Sequence, residues 1–325
     1  MINKMLRVFV VLAFAKALSS CTSSSKQEAE ISNIPLQVEF IKFHQEFDNL
    51  KPAELPTFQS EYPVFFPASV PDSIWLAKLQ GRDTIHNLLM NAVNEADFKY
   101  DQLQDEVEDV MRHVKYYFPE FKETNVVTVL TEVDDDLNVV ATPQYLIIGI
   151  DNYLGSDHEL YAGISRYKTA RMNPENIVPD VAMEYAQLFV PPAQGRTFLD
   201  QMIYHGKLLY LQEQFAPTTA ASYRLGYSQE KYDFAVNSEE QVWRYFIDND
   251  VLYSTDQQLQ ARFMAPGPFS KFYLEIDNQT PGAIARFIGY KIVSAYMDNN
   301  VIQLEDLISV PATTLFNDSK YKPAR

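Results

Sequence analysis

Val181-Ala182-Met183-Glu184-Tyr185-Ala186-Gln187, followed by Thr197-Phe198-Leu199-Asp200-Gln201-Met202-Ile203-Tyr204-His205-Gly206-Lys207-Leu208, is the stretch on which the reading of this chain turns. Both segments fall in runs with helical character, over Pro179–Val190 and Thr197–Phe215. Further helices are expected after them at Ser238–Asn249, Thr255–Phe263, Ala283–Asn299 and Leu304–Ser309, with Pro281-Gly282 as a helix-start signal. Before them the texture differs. Val126–Leu130, Val139–Ala141 and Leu146–Ile150 are short, β-branched and separated by turn residues, and read as strands.

Asp134-Asp135-Asp136 lies between the first two strands and reads as a hairpin turn. A calcium loop would need alternating ligands, a Gly at its sixth position and a Glu at its twelfth, and Leu137, Asn138 and Val139 follow instead. Further back, Ile74–Leu79 and Thr84–Tyr117 have helical spacing. In the second run Leu88, Leu89, Ala92, Ala96, Leu103, Val107, Val110, Met111 and Val114 suit one face, a break is marked around Asn91–Asp97, and Pro119 stops the helix. Val38, Phe40, Ile41, Phe43 and Phe47 suggest a helix ahead of Pro52, Pro56, Pro63 and Pro67. The whole predicts one α+β domain over 31–325, predominantly helical, with a small sheet near the middle of the sequence.

Composition narrows the function classes. The chain has 325 residues, 46% hydrophobic and 13% aromatic, too apolar for disorder. Its 43 acids against 27 Lys and Arg give a net charge of −16, which argues against nucleic-acid binding. With 10 Gly and neither GxGxxG nor GxxxxGK[ST], a glycine-rich nucleotide site is not expected. One cysteine forms no internal disulfide, CxxC pair or thiolate zinc site.

That cysteine is Cys21, and its surroundings explain it. Lys4 and Arg7 form a basic start, Val8–Leu18 is apolar apart from Lys16, and Leu18-Ser19-Ser20-Cys21 resembles a bacterial lipobox. The apolar run is shorter than the roughly 20 residues that span a bilayer. Residues 1–20 are thus expected to be a lipoprotein signal peptide, with Cys21 lipidated by acyl groups of the palmitate type. Residues 21–30 would be a flexible tether. The signal carries three basic residues and no acid, so its loss takes the charge from −16 to −19. The body would be water-soluble and held at a bacterial membrane, facing the periplasm.

Zinc peptidases carry H-E-x-x-H on a helix. Two imidazoles at i and i+4 hold the metal, and the Glu activates water. Here Glu184 keeps its place, while Met183 and Gln187 stand where the histidines would be. His205, before Gly206, stands where a third ligand would follow on the next helix. Thioether and carboxamide are poor zinc ligands, and one imidazole cannot hold the ion. The strands ahead of the helix fit the same peptidase-like, zincin-like layout. No catalytic residue, metal or cofactor is therefore expected.

The chain is similar to the gliding-motility-associated lipoprotein family GldB of the Bacteroidetes. The lipobox ending at Cys21, Asp151-Asn152-Tyr153-Leu154-Gly155-Ser156-Asp157-His158 and Asp200–Tyr210 carry the resemblance. So do Gln241-Val242-Trp243-Arg244-Tyr245-Phe246, Leu252-Tyr253-Ser254-Thr255-Asp256, Glu275–Gly282, Gly289–Met297 and Ser319-Lys320-Tyr321-Lys322-Pro323. The family is itself similar to predicted zinc proteases with an intact HExxH. What the resemblance implies is a cell-envelope lipoprotein of the gliding and type IX secretion machinery, partnered by other proteins of that apparatus, on a scaffold whose metal site has degenerated.

Among individual residues, His44, His86, His113, His158 and His205 are all too far apart in sequence for a local metal pair. His158 and His205 are the two that a fold could bring together. Glu184 is expected to make a structural hydrogen bond. Glu275 and Asp277 are expected to satisfy loop donors or the helix start at Pro281-Gly282. Tyr204, Tyr210, Tyr223, Tyr227, Tyr232 and Tyr245 are expected to fill the core with their hydroxyls bonded. The alternatives to a protein-binding component are a cryptic hydrolase using Glu184 and a glycan- or peptide-binding lipoprotein.

Overall fold

A computed structural model describes residues 26–324. The expected signal 1–20, Cys21 and residues 22–25 lie outside the described residues. Residues 26–32, at the end of the expected tether, form helix α1 and dock on the body. The Gln27 amide donates to the Tyr117 hydroxyl at 2.7 Å, and Ile31 is fully buried.

The stretch expected as a first helix splits. Phe40–Ile41 is strand β1, drawn out by pairing with Val126 and Val127, and only Phe43–Asp48 is helical (α2). The proline-rich segment that follows contains helix α3 (Leu55–Glu61), with Pro56 in its first turn, where a missing N–H is harmless. Helix α4 (Asp72–Leu79) completes a small aromatic cluster. Phe43 and Phe47 meet Phe58 and Trp75 there at 5.3 and 6.1 Å between ring centroids. Helices α5 (Thr84–Glu95) and α6 (Tyr100–Tyr117) form with the expected break between them, where Asp97 takes a left-handed φ of 47°. The buried face is the expected one except at Leu88, which is exposed because the inward face of α5 runs through His86, Leu89, Met90 and Val93.

The sheet has four strands in the order β1-β2-β4-β3, with β2 at Asn125–Val129, β3 at Val139–Ala141 and β4 at Tyr145–Gly149. β1, β2 and β4 run parallel, and β3 is an antiparallel edge. The Asp134-Asp135-Asp136 segment is therefore not a hairpin turn, because β4 lies between β2 and β3. The hairpin is β3–β4. Thr142 closes it: its N–H donates to the Tyr145 carbonyl at 2.8 Å, and its hydroxyl accepts from the Tyr145 N–H at 2.9 Å.

The second half is helical: α7 (Arg166–Thr169), α8 (Ile177–Phe189), α9 (Phe198–Phe215), α10 (Ala221–Leu225), α11 (Gln229–Asn237), α12 (Glu239–Asp248), α13 (Gln257–Phe263), α14 (Ile284–Asn299), α15 (Leu304–Leu307) and α16 (Ala312–Ser319). Helix α8 packs on β3, α6 and α9. Helix α9 is the central post, touching α6, α8, α14 and α16. Its start is fixed by a capping box: the Thr197 hydroxyl accepts from the Asp200 N–H at 3.2 Å, and the Asp200 carboxylate accepts from the Thr197 N–H at 2.9 Å.

The most extensive helix pairing is α9 on α14, and glycine makes it possible. A Cβ on Gly206 would lie 2.9 Å from the Tyr290 nitrogen and closer still to the Gly289 carbonyl. A Cβ on Gly289 would lie 2.8 Å from the Met202 carbonyl carbon. Ordinary side chains cannot occupy either place, so the two backbones touch directly. Phe198, Phe215, Phe246, Phe263 and Phe287 fill the surrounding core completely buried. No helix among the described residues is long and apolar enough to cross a membrane.

Candidate functional site

Helix α8 places Met183 and Gln187 four residues apart, on one face. Helix α9 brings His205 to the same place, and the three side chains line one cavity of about 570 Å3. Three of the four positions singled out in the sequence are thus gathered. The fourth is not: Glu184 is absent from the cavity wall and reaches to the sheet edge. Its carboxylate accepts the Ala141 N–H at 3.0 Å, and the Gln187 amide lies 3.4 Å from its other oxygen. The structural hydrogen bond expected of Glu184 is present.

The rest of the wall was not foreseen. Arg166, Arg171, Lys231 and Arg286 line the cavity, and no Asp or Glu does, in a chain with 43 acids. Two of these cations are held by internal contacts, and Arg166 stands exposed at the wall with no carboxylate partner among the described residues. Arg171 donates to Asp180 at 2.6 Å, and Tyr153 donates to the other oxygen of that carboxylate at 2.9 Å. Gly226, with a left-handed φ of 66°, lets the Arg171 stem pass where a Cβ would sit 2.8 Å away. Lys231 donates to the carbonyls of Asn278 and Thr280 and so ties α11 to the loop before α14.

Arg286 is different. Its Nε donates to the Met264 carbonyl at 2.8 Å, and it has no carboxylate partner among the described residues. It lies in the first turn of α14, the end at which a helix disfavours a cation. A cation so placed is the one feature of the sequence from which the site could have been found. Burial lowers the Arg286 pKa, and Arg171 adds to the effect. Burial, with the nearby Arg286 charge, lowers His205 to about 3, so its imidazole is neutral. Beside them, Tyr227 keeps its hydroxyl buried with no hydrogen-bond partner among the described residues.

A dication does not fit this wall. The ligand places hold a thioether, a carboxamide and one imidazole, and a guanidinium faces them. Among the described residues no three His, Cys, Asp or Glu side chains are grouped as metal ligands. His158 does not join His205. It accepts from the Leu160 N–H at 3.3 Å and is not part of the cavity wall. His44 is buried between Thr128 and Tyr100, His86 lies 3.2 Å from Asp48, and His113 Nδ1 donates to the Asp109 carbonyl at 2.9 Å.

Most of the other residues singled out serve the scaffold. Asp151 is fully buried and accepts from Thr131 N at 2.9 Å and from Val133 N at 2.8 Å. It thereby holds a loop in which Glu132 and Val133 take left-handed φ. Asp277 accepts from the N–H groups of Tyr273 and Leu274 at 2.8 and 3.3 Å, as expected of a loop residue. Glu275 is exposed. Lys207, buried and lowered to about 8, donates to the carbonyls of Ile308 and Val310. Of the six tyrosines, Tyr204, Tyr210, Tyr227, Tyr232 and Tyr245 pack on the core, whereas Tyr223 is exposed. Tyr204 and Tyr227 also line the cavity.

A helical body on a small mixed sheet, with a cation-lined cavity where α8, α9 and α14 meet, is the class of protein that fold and site define. The family profile of the gliding motility protein GldB matches residues 24–323, and the chain belongs to that family of gliding-motility-associated lipoproteins. No curated protein and no solved structure matches it.

Proposed function

We propose that this chain is a non-catalytic, lipid-anchored component of the gliding and type IX secretion machinery, working by binding through the cavity. In this reading the fold is a zincin-like scaffold that has exchanged hydrolysis for recognition. One observation carries it. The glutamate that a hydrolase would aim at water is bonded to a strand edge, and the cavity that would have held a metal is walled by cations. Lipidation at Cys21 would tether the body in the cell envelope, facing the periplasm, where other proteins of the apparatus are its partners.

The test uses a deletion strain complemented with variants. Deletion is expected to abolish spreading and secretion. Glu184→Gln is expected to restore both, because a glutamine oxygen still accepts the Ala141 N–H. A Glu184→Gln protein that is stable and localised, yet leaves cells unable to glide, overturns the reading. So does stoichiometric zinc in the purified wild-type chain that is lost in His205→Ala.

A further inference from the structure

We propose that the cavity is a receptor for an organic carboxylate on an apolar body, with Arg286 as the anchor of the carboxylate and Tyr227 as its second donor. This rests on the reading of the cavity as a place of binding, and it adds the chemistry of what is bound.

Charge selects the sign of the ligand. The lining residues include four cations and no carboxylate, although the chain as a whole carries −16. Arg171 is neutralised by Asp180, and Lys231 is engaged by two backbone carbonyls. Arg286 has only its Nε engaged, at Met264, which leaves the two terminal nitrogens of the guanidinium without a partner among the described residues. A planar guanidinium edge is matched to a two-oxygen anion, and in a partly buried site the pairing is stronger than in water.

The number of donors selects the kind of anion. Arg286 and Arg166 both lack a carboxylate partner among the described residues, but Arg166 is exposed, so one part-buried guanidinium and one orphan hydroxyl, Tyr227, suit a single negative charge on two oxygens. A buried hydroxyl without a partner is uncommon in folded proteins and calls for an explanation. A ligand oxygen beside Arg286 supplies one.

The remaining wall selects the body. Met183, Leu208, Leu209, Leu225 and the rings of Tyr204 and Tyr227 supply apolar surface. About 570 Å3 falls within the range of small-molecule sites and accommodates a group of di- or tripeptide size. Such a carboxylate has two sources: the free C-terminus of a peptide, or a small organic acid.

The experiment is calorimetric titration of the purified full-length chain with N-acetyl-Ala-Ala-Phe, its C-terminal amide, 3-phenylpropionate and inorganic phosphate. The free acid is expected to bind saturably and about tenfold or more tighter than the amide, the loss expected when a charged hydrogen-bonding partner is removed. Arg286→Gln is expected to erase that preference, and Tyr227→Phe to weaken acid binding several-fold. Arg286→Lys, which keeps the charge but not the fork, guards against a variant that simply fails to fold, and it is expected to retain part of the preference.

Tighter binding of the peptide acid than of 3-phenylpropionate identifies the source as a peptide end. Equal binding identifies a small acid. Both support the proposal. Equal affinity for acid and amide, an unchanged preference in Arg286→Gln, no saturation at millimolar ligand, or stronger binding of phosphate overturns it. These outcomes are independent of whether the Glu184→Gln chain supports gliding, so the two readings fail separately.

Discussion

Replacing Gly289 by alanine should loosen the centre of the molecule. The added Cβ would sit 2.8 Å from the carbonyl carbon of Met202, where ordinary contact is 3.4–4 Å. The obstacle is backbone, not the far end of a flexible side chain, so relief requires moving α9 relative to α14. Both helices are long, at 18 and 16 residues, and α9 also carries contacts to α6, α8 and α16. Overpacking of this kind costs about 1–3 kcal/mol, and the upper part of that range applies where only backbone can yield. Alanine recovers about 1 kcal/mol through its better helix propensity. The expected net loss is about 2 kcal/mol. Urea unfolding followed by circular dichroism reads it as a lower midpoint at unchanged slope. A Gly289→Ala chain that is as stable as the parent, or more so, would refute the claim that backbone contact sets this crossing.

Further outcomes follow from other contacts. Asp151→Asn should cost about 2 kcal/mol, since an amide offers one acceptor where the carboxylate bonds the N–H groups of both Thr131 and Val133, and limited proteolysis should then cut near residues 131–136. Glu184→Ala should cost about 1 kcal/mol by thermal melt, whereas Glu184→Gln should melt close to the parent. The chain should lose stability in mild acid. Burial lowers His44 to about 4 from an unfolded value of 6.5, so the unfolded chain takes up the proton first. The stability it contributes is complete above pH 6.5 and is lost as pH falls toward 4, an effect on the order of 3 kcal/mol. Unfolding across that window should show a shallower decline in His44→Gln than in the parent.

Much of the architecture is legible in the chain. Val139–Ala141 and the helices around Glu184 and His205 are found where periodicity and turn residues place them. Failures came where tertiary pairing outweighs local pattern. Phe40 and Ile41 look like part of a helical stripe, but their partners Val126 and Val127 are more than 80 residues away. The parallel β2–β4 pairing was hidden for a similar reason, because nothing local shows that β4 inserts between β2 and β3. Helices α10, α11 and α16 are only 5, 9 and 8 residues long, so they gave little signal. At the site, the chemistry of Met183, Gln187 and His205 was readable because their spacing is local. The cationic wall was not, since its four cations come from three separate segments: Arg166 and Arg171 from α7 and the turn after it, Lys231 from α11 and Arg286 from α14. Gly206 was read beside His205 as part of a ligand motif, and its place is instead explained by the crossing with Gly289.

The bond from Ala141 to Glu184 has a consequence for life on a crowded membrane. Lipid-anchored molecules share a plane and meet one another often, which makes an open strand edge hazardous, because it can template pairing with a neighbouring copy. β3 is such an edge, yet it is only three residues long, and the Ala141 donor that turns away from β4 is already occupied by a carboxylate. Glu184 thereby closes the outward donor at Ala141, while Met183 and Gln187 of the same helix remain at the cavity wall.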